Sequence, residues 1–381
     1  MKTLKHIILL MVAMLLLSHS SGCEKYDDHP IFPASDFIST GDYQGAYWPT
    51  EAWKKCDPEE VGMDPKKLKE LNEEIRLLLE MHIEFQSILV VKDGYIVAEQ
   101  YYSDDYGQDD LHRIYSCTKS LISAMIGIAL ERGLIRSVDD KMTEYFSDHE
   151  FQNLSADKEN ISLHHLLTMS AGLEWYEMDF PYDDDRNSYR QWADDGYRVG
   201  FVLDQTTIYA PGEEFSYNSG ISLVLSGMVQ EVTGIRTDSF ALQNLLTPLG
   251  IDEYYWPIND EDIAFGGSGV RLTPRDMARF GYLYLKNGKW DGEQIVPETW
   301  IETSQQKHMP RKYIPDNYYG YQFWVSDFGL YSAVGYGGQW IMIVPEHNLV
   351  VVFNNRFEEG DDLQWSTPER LLNTYIIPAI N

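Results

Sequence analysis

Ser116 and Lys119 stand three residues apart in YSCTKS, directly ahead of the apolar run LISAMIGIAL. Three residues is close to one helical turn, so on a helix the two side chains would share a face. A helix from Ser116 to about Arg132, stopped at Gly133, would cap itself with the serine, where unpaired backbone N–H groups and the positive end of the helix dipole converge. Lys119, one turn in on a helix apolar nearly all round, would be partly desolvated, and desolvation lowers an ammonium from its ordinary pKa of about 10.4. A neutral amine beside a hydroxyl can take its proton and make the serine a nucleophile for acyl transfer. The pattern alone is weak, because a capping serine followed by a solvated lysine has the same letters. Cys117 reads as a small buried packing thiol.

Further segments follow in a telling order. PGEEFSYNSG brings Tyr217, Asn218 and Ser219 after a Pro-Gly turn, and GYGGQWIMIVP brings Tyr336, Gly337, Gly338 and Gln339 ahead of a strand-like run. HHLLTMSAGLEW and GGSGVRLTPRDMARFG lie between the first helix and the last of these. A phenol facing the serine could be a second proton carrier, and paired glycines allow close approach to the backbone. From about WKKCDPEEVGMD to its end the chain resembles the serine beta-lactamase and penicillin-binding-protein superfamily. The likeness is to its class C-like branch of esterases, D-peptidases and hydrolases of the 6-aminohexanoate-dimer type.

That resemblance implies Ser116 as nucleophile, Lys119 as its base and Tyr217 as the second proton carrier. It implies an oxyanion hole from the N–H groups of Ser116 and Gln339, with Ser219, Tyr336, Gly337 and Gly338 bordering substrate. Two departures stand out. The family's Tyr-x-Asn carries Ser219 at its third position, with Asn218 one place early, and its Lys-Thr-Gly appears as Tyr336-Gly337-Gly338. A tyrosine brings no charge to a substrate carboxylate. The expected substrate is therefore a neutral or cationic ester, amide or peptide-like compound of small acyl groups, unless Arg271, Arg275 or another basic residue folds into the cleft. A true beta-lactamase or D,D-carboxypeptidase is the nearest alternative, and a noncatalytic cell-envelope binding protein of the same fold is the alternative from another class.

The elements that must hold these residues come from both ends of the chain. SILVVKDGYIVAEQYY reads as a hairpin of alternating strands, YGYQFWV, QWIMIVP and LVVVFNN as three later strands, and STPERLLNTYIIPAI as a closing helix. Between about 113 and 300 the chain is mostly helical by spacing. The expected fold is α/β (α+β), with an antiparallel sheet formed from both chain ends, flanked by helices, and an inserted mostly helical lobe, so that a cleft opens between them. Residues 179–196, DFPYDDDRNSYRQWADDG, read as a solvated loop bordering that cleft.

The chain has 381 residues and a net charge of -30, from 30 Lys and Arg against 60 Asp and Glu, which disfavours nucleic acid as a partner. Residues 1–22 have the layout of an export signal. SSGC resembles a lipobox, implying a lipidated Cys23, a membrane anchor through it at a periplasmic or surface face, and a flexible tether over 23–50 before a domain at 51–381. No metal and no organic cofactor are expected: His164 and His165 are adjacent without metal-binding spacing, and no phosphate loop, dinucleotide fingerprint or GxSxG elbow is present.

Overall fold

The structure is a computed structural model that describes residues 37–103, 106–311, 317–357 and 363–381. Among the described residues it holds an eight-stranded sheet of β1 (Phe85–Lys92), β2 (Tyr95–Tyr101), β3 (Met309–Pro310), β4 (Asn317–Tyr319), β5 (Trp324–Ser326), β6 (Tyr331–Gly335), β7 (Gln339–Val344) and β8 (Leu349–Asn355), in the order β2-β1-β8-β7-β6-β5-β4-β3. The two ends of the chain meet where β1 pairs antiparallel with β8, Ile88 facing Phe353 and Val91 facing Val350. Asp93 and Gly94 turn the first hairpin with φ of 52° and 88°, the two positive values of a type I′ turn whose twist suits the strands. The expected alternation is not found. Every residue of β7 and β8 is buried, as is Ile88 to Lys92 of β1, because both faces of the sheet are covered and apolar residues are required on each.

The principal helices are α1 (Pro65–Glu80), α2 (Thr118–Glu131), α3 (Ser219–Thr233), α4 (Pro274–Leu285) and α5 (Leu363–Leu371). α2 is buried from Thr118 to Ala129 and α3 from Ser219 to Val229. They pack on each other as the spine of the helical region. α4 falls in the stretch expected to form the inserted lobe, yet it lies on the sheet. A methyl group at Gly281 would come within 2.7 Å of Val350 and 2.8 Å of Ile341, so this glycine lets the helix backbone settle onto β7 and β8.

The tether expectation is corrected for residues 37–50. Phe37 is buried and accepts from the Glu99 N–H at 3.0 Å, Ser39 N–H donates to Val97, and the Trp48 ring packs 5.9 Å from Tyr282 and 5.5 Å from Trp290. An acidic stretch broken by glycine thus still supplies aromatic groups to the core. The leader, Cys23 and the rest of 23–36 lie outside the described residues. Among the described residues no helix is long and apolar enough to cross a membrane.

Candidate active site

Ser116 is not the cap of α2. It sits in a short 3-10 turn, Tyr115–Cys117, that runs into the helix at Thr118. Tyr115, just before it, is held at φ 45°, a left-handed conformation costly for an aromatic residue and typical of positions that aim a functional group. The strand opposite must come very close. A methyl at Gly335 would meet the Ile114 carbonyl at 2.3 Å, so only glycine lets the end of β6 reach the turn that carries the serine.

Lys119 points back from the first turn of α2 and is 1% exposed. Its Nζ lies 2.9 Å from Ser116 Oγ, 2.9 Å from Ser219 Oγ and 2.6 Å from the Gly267 carbonyl. Three acceptors match the three protons of an ammonium. With one proton gone, two N–H bonds can stay on Ser219 and Gly267, leaving a lone pair directed at Ser116. Burial pulls the Lys119 pKa down to about 8, against the opposing pull of the Glu177 carboxylate. The amine form is therefore accessible near neutral pH.

Glu177, which sequence reasoning missed, anchors this arrangement. The buried carboxylate accepts from Ser219 Oγ at 2.6 Å, Ser219 N–H at 2.8 Å, Trp175 Nε1 at 2.9 Å and the Tyr182 hydroxyl at 3.1 Å. It also sits at the first N–H of α3, where the helix dipole favours an anion. Ser219 thus accepts from Lys119 and donates to Glu177, fixing the polarity of the chain. Asn218 takes the other role in this pair of residues, since its side chain caps α3 by accepting from the Ile221 N–H at 3.0 Å.

Tyr217 is buried with its ring stacked 5.7 Å from Trp324 at an interplanar angle of 21°. Lys119 Nζ lies 4.8 Å above the other aromatic contact of the site, the Tyr217 ring itself. Burial first, and the nearby Tyr319 and Glu177 next, push the Tyr217 phenol well above its usual range. Tyr217 is therefore a neutral O–H donor at working pH.

A cavity of about 300 Å³ opens over Ser116, lined also by Glu177, Tyr217, Tyr182, Val334 and Tyr336. Met178 to Tyr182 form one wall, so the acidic aromatic loop borders the cleft at its first residues, pinned by Asn187 Nδ2 to the Glu177 and Phe180 carbonyls at 3.0 and 2.7 Å. The Tyr336 ring packs 5.6 Å from those of Tyr115 and Tyr182. Gly337, Gly338 and Gln339 continue from Tyr336 into β7. Gln339 pairs across the sheet with Gly335 and turns its amide to the Asn355 carbonyl at 2.5 Å. The two glycines form the turn, with φ of 74° and 84°, and a methyl at Gly338 would strike the Phe357 ring at 2.7 Å. Their glycine requirement comes from the turn and its packing.

Other candidates also find structural places. Cys117 is buried with Sγ 3.6 Å from the Gln339 carbonyl, and burial raises its thiol. His164 Nδ1 meets the Tyr321 hydroxyl at 2.8 Å, and His165 Nδ1 closes a capping box with Ser162. Arg271 lies over the Tyr255 ring, and Arg275 binds both carboxylate oxygens of Glu99 at 2.8 and 2.7 Å. Neither lines the cavity over Ser116.

A family model described as Beta-lactamase matches residues 81–367. The chain belongs to the beta-lactamase family. Membership makes it a hydrolase of the beta-lactamase kind. A 6-aminohexanoate-dimer hydrolase of Paenarthrobacter ureafaciens is 25% identical over 300 residues, covering 73% of this chain and 74% of that protein. Two solved structures share the fold. An octameric penicillin-binding protein homologue from Pyrococcus abyssi superposes with a TM-score of 0.65 at 19% identity, over 82% of this chain and 77% of that one. EstCE1, described as a hydrolase with promiscuous acyltransferase activity, gives a TM-score of 0.65 at 15% identity, over 85% and 99%. Of the residues singled out in the sequence, Ser116, Tyr217 and Tyr336 line one cavity, and Lys119 and Ser219 join them through Lys119 Nζ, 2.9 Å from both serine hydroxyls.

Proposed function

We propose that this protein is a serine hydrolase that forms an acyl-enzyme on Ser116 and releases it to water, cleaving an ester or amide bond in a small acyl or peptide-like compound. The observation that carries this reading is the 2.9 Å contact between Ser116 Oγ and a Lys119 amine lowered to about 8. Lys119 takes the hydroxyl proton as Oγ attacks the carbonyl carbon. The resulting oxyanion is held by the backbone N–H groups of Ser116 and Gln339, the pair that the family resemblance implies; Ser116 lines the cavity, and the Gln339 carbonyl lies 3.6 Å from the Sγ of Cys117, the residue after the serine. Collapse breaks the bond to the leaving group, which receives its proton through the neutral Tyr217 hydroxyl. Water then attacks the ester, and the same groups return the proton to Ser116. The relatives, a 6-aminohexanoate-dimer hydrolase and a hydrolase with promiscuous acyltransferase activity, support hydrolysis through acyl transfer. Tyr336 in place of a lysine argues against a lactamase or carboxypeptidase, and the completeness of the proton path argues against a noncatalytic binding protein.

A fluorophosphonate should label Ser116 alone, read by mass spectrometry of the intact protein and its peptides. Unchanged labelling of Ser116→Ala would remove Ser116 as nucleophile. We also propose export and lipid anchoring through Cys23, supported by the apolar leader and SSGC. Cys23→Ala should move the protein from the membrane to the soluble fraction, and a wild-type protein already soluble would refute the anchor.

A further inference from the structure

Strands β7 and β8 are apolar except at the end they share, where β7 begins with Gln339 and β8 finishes with Asn354 and Asn355. With Ser87 of β1 these residues are all 2% exposed or less. Ser87 Oγ donates to Asn354 Oδ1 at 3.0 Å, Asn354 Nδ2 to Gln339 Oε1 at 3.0 Å, and Gln339 Nε2 to the Asn355 carbonyl at 2.5 Å. Each donor in this chain points to the next acceptor, so the Gln339 side chain is held at both ends. Burying so many polar groups in a sheet costs desolvation that apolar residues would avoid. The place they occupy is beside the turn of the serine, since the Gln339 carbonyl lies 3.6 Å from Cys117 Sγ.

Asn355 holds the backbone at the same point. Its Nδ2 donates to the Gly338 carbonyl at 2.8 Å, while its own Oδ1 is buried with no hydrogen-bond partner among the described residues. Half of this amide is therefore unsatisfied, a state that destabilises the fold, and the other half is spent on one carbonyl. That carbonyl and the Gln339 N–H belong to a single trans peptide and point in opposite directions. β7 lies between β8 and β6. A Gly338 carbonyl drawn toward Asn355 of β8 turns the Gln339 N–H away from β8, to the side of β6, whose last residue Gly335 abuts the Ile114 carbonyl next to the serine turn. The loop itself does little to fix that plane. Gly337 and Gly338, at φ of 74° and 84°, have no Cβ to limit rotation, so the orientation of the peptide is set from β8.

We propose that Asn355 is a positioning residue of the oxyanion hole: by holding the Gly338 carbonyl it keeps the Gln339 N–H aimed at the carbonyl oxygen of the substrate before the reaction begins. The inference rests on the hydrolase reading above and adds to it a residue that touches no reacting atom. The Ser87, Asn354 and Gln339 side chains steady the same residue from its other side. Because the oxyanion exists only once Ser116 has attacked, a misaligned donor weakens the transition state far more than the bound substrate.

The test compares a short ester with its thionoester, in which sulfur replaces the carbonyl oxygen. Sulfur is larger and a weaker acceptor, so it gains little from two aligned N–H groups. The wild type should favour the ester in kcat/KM. Asn355→Leu and Asn355→Asp, close to asparagine in size but without an N–H donor, should each reduce that preference by about tenfold to a hundredfold, up to the lower end of what losing one oxyanion donor outright costs. The loss on the ester should fall on kcat with KM nearly unchanged, and in Asn355→Leu the pH dependence set by Lys119 should not move. Because both substrates are measured on the same sample, the folded fraction cancels in the ratio. In the wild type alone, a phenylboronic acid bound on Ser116 should move the Gln339 amide proton downfield in the NMR spectrum and leave the Asn355 side-chain amide protons in place, since their bond to Gly338 is already made. An ester preference unchanged in Asn355→Leu, a loss carried by KM, or a Gln339 amide that does not respond to the boronic acid would each overturn the assignment. If fluorophosphonate still labels Ser116 in those cases, the hydrolase reading stands while the role of Asn355 falls. A wild type that is not labelled at Ser116 would remove the hydrolase reading, and this inference with it.

Discussion

Replacing Lys119 by alanine is expected to lower kcat/KM for a short ester by roughly 10²- to 10⁴-fold, the usual worth of a positioned general base. The loss should carry a pH signature. With the amine lowered to about 8, the wild type is mostly ammonium below that pH and has no lone pair for Ser116. Its kcat/KM should therefore climb about tenfold per pH unit toward 8 and level off above, and this limb should vanish in Lys119→Ala. Glu177 opposes the lowering, so Glu177→Gln should move the limb to lower pH, while hydrolysis that depends on Lys119 continues. Rates within a factor of a few of wild type in Lys119→Ala, or a limb that stays put in Glu177→Gln, would exclude the amine as the base.

Tyr217→Phe should cost a comparable 10²- to 10⁴-fold, with a different signature. Phenylalanine keeps the ring that stacks on Trp324 and lies beneath Lys119, so packing changes little and only the hydroxyl is lost. The rise in kcat/KM toward pH 8 should persist with a lower plateau, because the base is intact and the proton donor to the leaving group is missing. Substrates with an activated leaving group, which depart without a proton, should be affected least. A p-nitrophenyl ester and an unactivated alkyl ester measured side by side provide the comparison. An equal loss on both would assign Tyr217 to positioning and not to proton delivery.

The parts of this site that could be read from sequence are those whose geometry is local. Ser116 and Lys119 lie within one turn, and the helical spacing brings them together in the fold as expected. Tyr217 was identifiable because a Pro-Gly turn and a following helix frame it. Glu177 was not, since one carboxylate among 60 acidic residues has no local mark. It matters only because the chain from Leu173 to Tyr182 folds over the start of α3. The role expected of the Gln339 N–H rested on family resemblance and not on any local mark. GYGGQ fits either a strand with substrate-facing glycines or a tight turn between strands, and the pairing of Gly335 with Gln339 decides for the turn, leaving Tyr336 at the cleft. The alternating pattern expected in the strands failed for a plainer reason, because a sheet covered on both faces needs no polar side.

The pairing of β1 with β8 has a consequence for how the protein comes into being. Phe85 faces Asn355 and Lys92 faces Leu349, so the middle of the sheet cannot close until the last strand has been synthesised. Contacts of such long sequence separation form slowly. Until then the first hairpin offers β1, apolar on both sides, as an open edge of the kind that pairs with other chains. A message cut short before residue 349 would yield a chain that contains the nucleophile, its lysine and its tyrosine and still has a template for aggregation in place of a sheet.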